Sequence, residues 1–148
     1  ADAQCREFLG ITAAAAAPYG LYVMLEALNE HACNYITCVP EALDLLQAAR
    51  LPDVGLVLDF YHMEIMGEGL DLIPSAAPWL LHTHVSSCGP SRERGFPQED
   101  EYGRYRSILR ALLAVDYDAT MSIEPDTFEP EAAATSLAML RRAYESLL

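Results

Sequence analysis

Four short apolar runs in this sequence close on, or just after, a side chain able to bind a metal ion. They are residues 21–26, ending in Glu26; 54–59, ending in Asp59; 79–85, carrying His84; and 121–124, ending in Glu124. Each run is long enough for a strand and short for a helix. Segments of helical character alternate with them. Residues 2–17 form an Ala-rich helix stopped by Pro18-Tyr19-Gly20. Residues 40–50 place Leu43, Leu46 and Ala49 on one face, 70–77 suit a short helix, 102–115 align Ile108, Leu109, Leu112 and Leu113, and 131–148 form the last helix. Residues 29–37 and 89–100 read as loops.

Strand-then-helix units in series require parallel strands with helical crossovers, an α/β fold. Two architectures satisfy this: an open doubly wound sheet, or a (β/α)₈ TIM barrel. A barrel takes ~250 residues. The chain has 148, room for half of one.

Parallel strands deliver their C-terminal ends to one rim, where α/β sites are built. Three carboxylates and an imidazole gathered there repel and desolvate one another unless a cation joins them. A donor set of oxygens with one nitrogen suits Mn²⁺, Mg²⁺ or Co²⁺ better than a thiolate zinc site. His62 follows Asp59 by three residues and faces the same rim. Arg92 and Arg94 can present a guanidinium to a hydroxyl or oxyanion. His82 is assigned to the opposite face of its strand from His84, in a structural role. His31, Cys33 and Cys38 match no common zinc spacing.

Charge narrows the partners. Asp and Glu number 22 against 9 basic residues, a net charge of −13. That opposes nucleic acid, whose phosphates need a basic face, and anionic membrane surfaces. Every basic residue is Arg; with no Lys, the chain can form no Schiff base and no Walker-A loop. No apolar run reaches the ~18 residues of a membrane span. Cys5, Cys33, Cys38 and Cys88 form no CxxC pair and read as reduced thiols in a cytoplasmic protein.

The ordered segments Leu25-Glu26-Ala27-Leu28-Asn29, Leu58-Asp59-Phe60-Tyr61-His62-Met63, His82-Thr83-His84-Val85 and Ser122-Ile123-Glu124 resemble the xylose isomerase-like TIM-barrel superfamily, in its ketose 3-epimerase and hydroxypyruvate isomerase branch. The resemblance begins near Gly20 and covers strands five to eight of the family's barrel. It implies that Glu26, Asp59, His84 and Glu124 ligate a divalent metal, and that Glu26 and Glu124 also act as the acid/base pair. It implies that His62 binds the substrate carbonyl oxygen. Arg94, three residues before Pro97, corresponds to the family's substrate-binding Arg, with Arg92 the fallback. The implied activity is isomerisation or epimerisation of a sugar or small hydroxy-carbonyl compound through a metal-stabilised enediolate.

Where many relatives carry a further Glu after the first of these strands, this chain has Ala32. Residues 1–148 are expected to be the C-terminal half of a barrel with its first four βα units absent. Such a chain needs the missing half or self-association, and the runs 21–26 and 121–124 should be sheet edges. Superfamily dehydratases and a non-catalytic half barrel are the alternatives. An endonuclease IV-like repair enzyme is opposed by the charge and by the lack of His in residues 98–102.

Overall fold

The structure, a computed structural model, describes residues 1–148. Helix α1 (Asp2–Ala16) runs into a 3₁₀ turn at Ala17–Tyr19, and Gly20 follows at φ 66°. That left-handed conformation suits a residue without Cβ, and it turns the chain into strand β1 (Val23–Glu26). Helix α2 (Val39–Ala49) has Pro40 in its first turn, where the missing N–H costs nothing. Strand β2 (Val54–Asp59) passes directly into helix α3 (Phe60–Ile65). A 3₁₀ turn, helix α4 (Ile73–Ala76) and a second 3₁₀ turn lead to strand β3 (Leu80–Val85). The two-residue strands β4 (Ser87–Cys88) and β5 (Arg94–Gly95) pair as a hairpin, in a stretch the sequence presents only as loop. Helix α5 (Tyr102–Leu113), strand β6 (Thr120–Ile123) and helix α6 (Pro130–Glu145) complete the chain.

The main sheet is fully parallel, in the order β1-β2-β3-β6. Strand order therefore follows chain order in one direction, as in an arc of a barrel. A doubly wound sheet starts inside and reverses. Strands β1 and β6 are its two edges.

One face of the arc packs under the helices. Leu56, Leu58 and Val85 join Leu43, Leu46, Ile73, Tyr105, Ile108 and Met139 in a single buried cluster. Each such side chain contributes roughly 1.5–3 kcal/mol on burial. All six residues of the interior strand β2 are buried. Within it, Gly55 passes the chain entering β3 so closely that a Cβ would lie 2.6 Å from the Trp79 carbonyl oxygen. The other face of the arc is open. Met24, Thr120 and Ser122 project into solvent there, and Phe8, Ile11, Leu21 and Tyr22 are exposed along the flank beside β1. No helix is long and apolar enough to cross a membrane.

Candidate metal centre

The register of the parallel strands sets four side chains at one level of the rim. Asp59, the last residue of β2, stands opposite His84 of β3, and His84 stands opposite Ser122 of β6. Glu26 ends β1, and Glu124 follows β6 with its N–H bonded to the Val85 carbonyl at 3.1 Å. One ligand atom from each of Glu26, Asp59, His84 and Glu124 lies within 4.8 Å of the other three.

The buried Asp59 carboxylate divides its oxygens between two tasks. Oδ1 accepts from the Tyr61 N–H at 2.8 Å and caps α3, which leaves Oδ2 to the cluster. Nδ1 of His84 lies 2.8 Å from Glu124 Oε2, 3.1 Å from Glu26 Oε1 and 3.7 Å from Asp59 Oδ2. Asp59 and Glu26, then the charge of Glu124, push the His84 pKa up to about 10 against the opposing effect of burial. At its distance Asp59 acts on the ring mainly as a charge. Burial alone would raise the Asp59 pKa, but His84, the Arg94 charge, His62 and the Tyr61 N–H together hold it well below the usual carboxylate range.

Arg94 reaches the cluster from the hairpin. Its Nη2 lies 2.5 Å from Asp59 Oδ2 and 2.7 Å from Glu124 Oε2. Its Nε donates to Ser86 Oγ at 3.3 Å, and its guanidinium carbon lies 4.6 Å from the centroid of the Tyr61 ring. The backbone is clamped as well. Arg94 N donates to Asp126 Oδ2 at 2.8 Å, and Asp126 N returns a bond to the Arg94 carbonyl at 2.9 Å. Arg92 sits exposed in the hairpin turn at φ 64°, with its carbonyl accepting from Tyr61 Oη.

His62, buried on the first turn of α3, points Nε2 toward Asp59 Oδ2 at 3.7 Å. Burial lowers its pKa, and the nearby carboxylates only partly offset this. His82 corrects the sequence reading. Residues two apart on a strand share a face, so His82 lies on the open face with His84, the ring centroids 5.0 Å apart. Its nitrogens are held by Thr120 Oγ1 at 2.7 Å and Ser122 Oγ at 2.9 Å.

The cluster suits a divalent cation. Asp59 Oδ2 and Glu124 Oε2 each already face two positive groups, the His84 ring and the Arg94 guanidinium, and Glu26 faces His84. Hard oxygen donors with one imidazole are the set such ions take. Ala32 is exposed and brings no carboxylate, and its N–H bonds Asn29 Oδ1 at 3.2 Å. Sequence reasoning missed Asn29, Tyr61 and Asp126 as members of this region. For Asn29 the only signal was its position inside the Glu26 motif.

A family model described as xylose isomerase-like TIM barrel matches residues 1–143. A probable ketose 3-epimerase of Synechocystis sp. is 30% identical over 123 residues, covering 82% of this chain and 41% of that protein. A ketose 3-epimerase of Arthrobacter globiformis is 26% identical over 148 residues, covering 98% of this chain and 48% of that protein. The chain thus spans about half the length of the curated relatives it matches. In fold, it superposes on a 3-keto-D-glucoside 4-epimerase of E. coli with TM-score 0.78 at 23% identity, covering 95% of this chain and 53% of that one. An IolI protein solved with a zinc atom gives TM-score 0.72 at 20% identity, covering 99% of this chain and 55% of that one. The family match extends over nearly the whole chain, and the chain belongs to the xylose isomerase-like TIM barrel family.

Proposed function

We propose that this chain carries the metal and proton-transfer half of a sugar epimerase or isomerase acting on ketoses. The observation that carries the reading is the convergence of Glu26, Asp59, His84 and Glu124 at the C-terminal rim of a parallel sheet. The ketose 3-epimerases among its relatives supply the substrate class.

Glu26, Asp59, His84 and Glu124 would hold the ion. A bound divalent cation supplies positive charge that favours loss of a proton next to a carbonyl. Glu26 and Glu124 stand on opposite edges of the arc, at the ends of β1 and β6. One carboxylate takes the proton from the carbon beside the carbonyl, and the other delivers one. Delivery to the opposite face of the same carbon is epimerisation; delivery to the neighbouring carbon, with the proton on oxygen relocated, is isomerisation. His62 offers its Nε2 to the carbonyl oxygen, where negative charge develops. Arg94 presents a planar fork for a substrate hydroxyl or oxyanion.

In this reading the chain supplies barrel strands five to eight, and the first four units, or a second copy, close the open face. Both edge strands carry backbone groups available for pairing. The deciding experiment is proton exchange, measured by NMR in D₂O on the complete barrel loaded with diamagnetic Mg²⁺. Deuterium should enter the ketose at the carbon beside the carbonyl, and Glu124→Gln should slow this by at least ~10²-fold. Exchange at an unchanged rate in Glu124→Gln would remove the acid/base assignment.

A further inference from the structure

Asn29 leaves β1 three residues after Glu26 and is 3% exposed. Its amide is oriented by its neighbours. The backbone N–H groups of His31 and Ala32 donate to Oδ1 at 3.0 and 3.2 Å, so the oxygen faces its own turn and Nδ2 faces outward. Nδ2 lies 2.8 Å from His62 Nδ1. The Asn29 backbone N–H donates to that same nitrogen at 3.1 Å.

Both groups aimed at His62 Nδ1 are therefore donors, and a backbone N–H has no other role. A proton on Nδ1 would face two N–H groups. Nδ1 must accept, and the single proton of the neutral ring resides on Nε2. Nε2 is the nitrogen turned toward the cluster, 3.7 Å from Asp59 Oδ2.

We propose that Asn29 is a positioning residue that locks His62 in the Nε2–H tautomer, so that the ring meets the substrate carbonyl oxygen as a neutral hydrogen-bond donor. The two histidines of the site then differ by their surroundings. His84 has carboxylate oxygens around its Nδ1, whereas His62 has amide donors on its own. A neutral donor stabilises a developing oxyanion without adding a further positive charge beside Arg94 and the metal position. An Asn so placed does for His62 what outer-shell partners do for ligand histidines: it fixes tautomer and ring orientation together. The inference rests on the proposed role of His62 toward substrate, and its first test needs neither substrate nor turnover.

That test is a long-range ¹⁵N–¹H spectrum of the histidine rings in the metal-free protein, with the His62 signals identified by their loss in His62→Gln. The expected result is a bare Nδ1 and a protonated Nε2 at neutral pH. An Nδ1–H tautomer or an imidazolium overturns the proposal, whatever the sugar chemistry proves to be. Asn29→Asp provides the second arm. The carboxylate still accepts from His31 and Ala32, but it replaces the donor at His62 Nδ1 with an acceptor. The residue 29 backbone N–H still donates to His62 Nδ1, so the Nδ1–H population should rise rather than become complete, and in the complete barrel kcat should fall by about 10–100-fold. A folded Asn29→Asp variant with an unchanged ring spectrum overturns the proposal. If that variant does not fold, the wild-type spectrum alone decides.

Discussion

Arg94 Nη2 and Glu124 Oε2 lie 2.7 Å apart, and the same nitrogen lies 2.5 Å from Asp59 Oδ2. The guanidinium thus occupies oxygens that the metal reading assigns to the ion. Removing it with Arg94→Gln should weaken the metal-free fold, because Asp59 loses a buried counter-charge. Breaking a buried pair costs ~3–5 kcal/mol. Asp59 keeps Tyr61 N–H and His84, so the lower end applies, a fall in Tm of roughly 6–12 °C. Divalent-metal affinity should rise in the same variant, since an internal competitor is gone. Calorimetric titration with Mn²⁺ reads this directly; an affinity equal to or below that of the wild type contradicts the competition.

Metal uptake should release a proton. His84 carries one below about pH 10 and must shed it before Nδ1 can bind an ion. Apparent affinity should therefore climb with pH through the neutral range, about tenfold per unit from this group alone. Titrations in buffers of different ionisation enthalpy count the protons released. The metal-free protein should respond with the opposite sign. A pKa raised in the folded state stabilises fully below the ordinary His value near ~6.5, and that stability is lost as pH rises toward about 10.

The strand-end cluster of Glu26, Asp59, His84 and Glu124 was legible because each apolar run stops on or beside a polar residue, and parallel strands bring such ends to one rim. The repeat alone left a doubly wound sheet and a barrel open; the half barrel and its two edge strands followed from the family resemblance, and the order β1-β2-β3-β6 agrees with it. What stayed hidden was either short or non-local. Phe60–Ile65 is too brief for a 3.6-residue period to register, and it is helical because Asp59 caps it and its apolar residues are buried. The β4–β5 hairpin has two residues per strand, below any detectable alternation. Asn29 meets His62 across 33 positions of sequence, a contact no local pattern encodes. His82 was a misapplied parity: strand alternation itself puts it beside His84.

The open arc should make the isolated chain associate. Leu21, Tyr22 and Met24 are exposed on or beside the edge strand β1, and β6 presents the opposite unpaired edge. Sedimentation velocity should show concentration-dependent assembly, and Met24→Lys should shift it toward monomer by placing a charge on the open face. A monomer with cooperative unfolding at all concentrations contradicts this.

Asp59→Asn should hurt the site more than any other conservative change to its ligands. Its side chain is fully buried and joins the α3 cap to the cluster. Metal binding should be lost in calorimetric titration, while Glu124→Gln, at the half-exposed ligand, should retain measurable affinity. Equal metal affinity in wild type and Asp59→Asn contradicts the ligand assignment.

Glu26, Asp59, His84 and Glu124 are expected to form one metal centre. Anomalous diffraction at the manganese edge, from crystals of the protein grown with Mn²⁺, addresses it most directly. A single strong peak is expected within bonding distance of Glu26, Asp59, His84 and Glu124 together, with the Arg94 guanidinium withdrawn from Asp59 Oδ2. A map in which Mn²⁺ binds elsewhere, while Arg94 remains on Asp59 and Glu124, would contradict it.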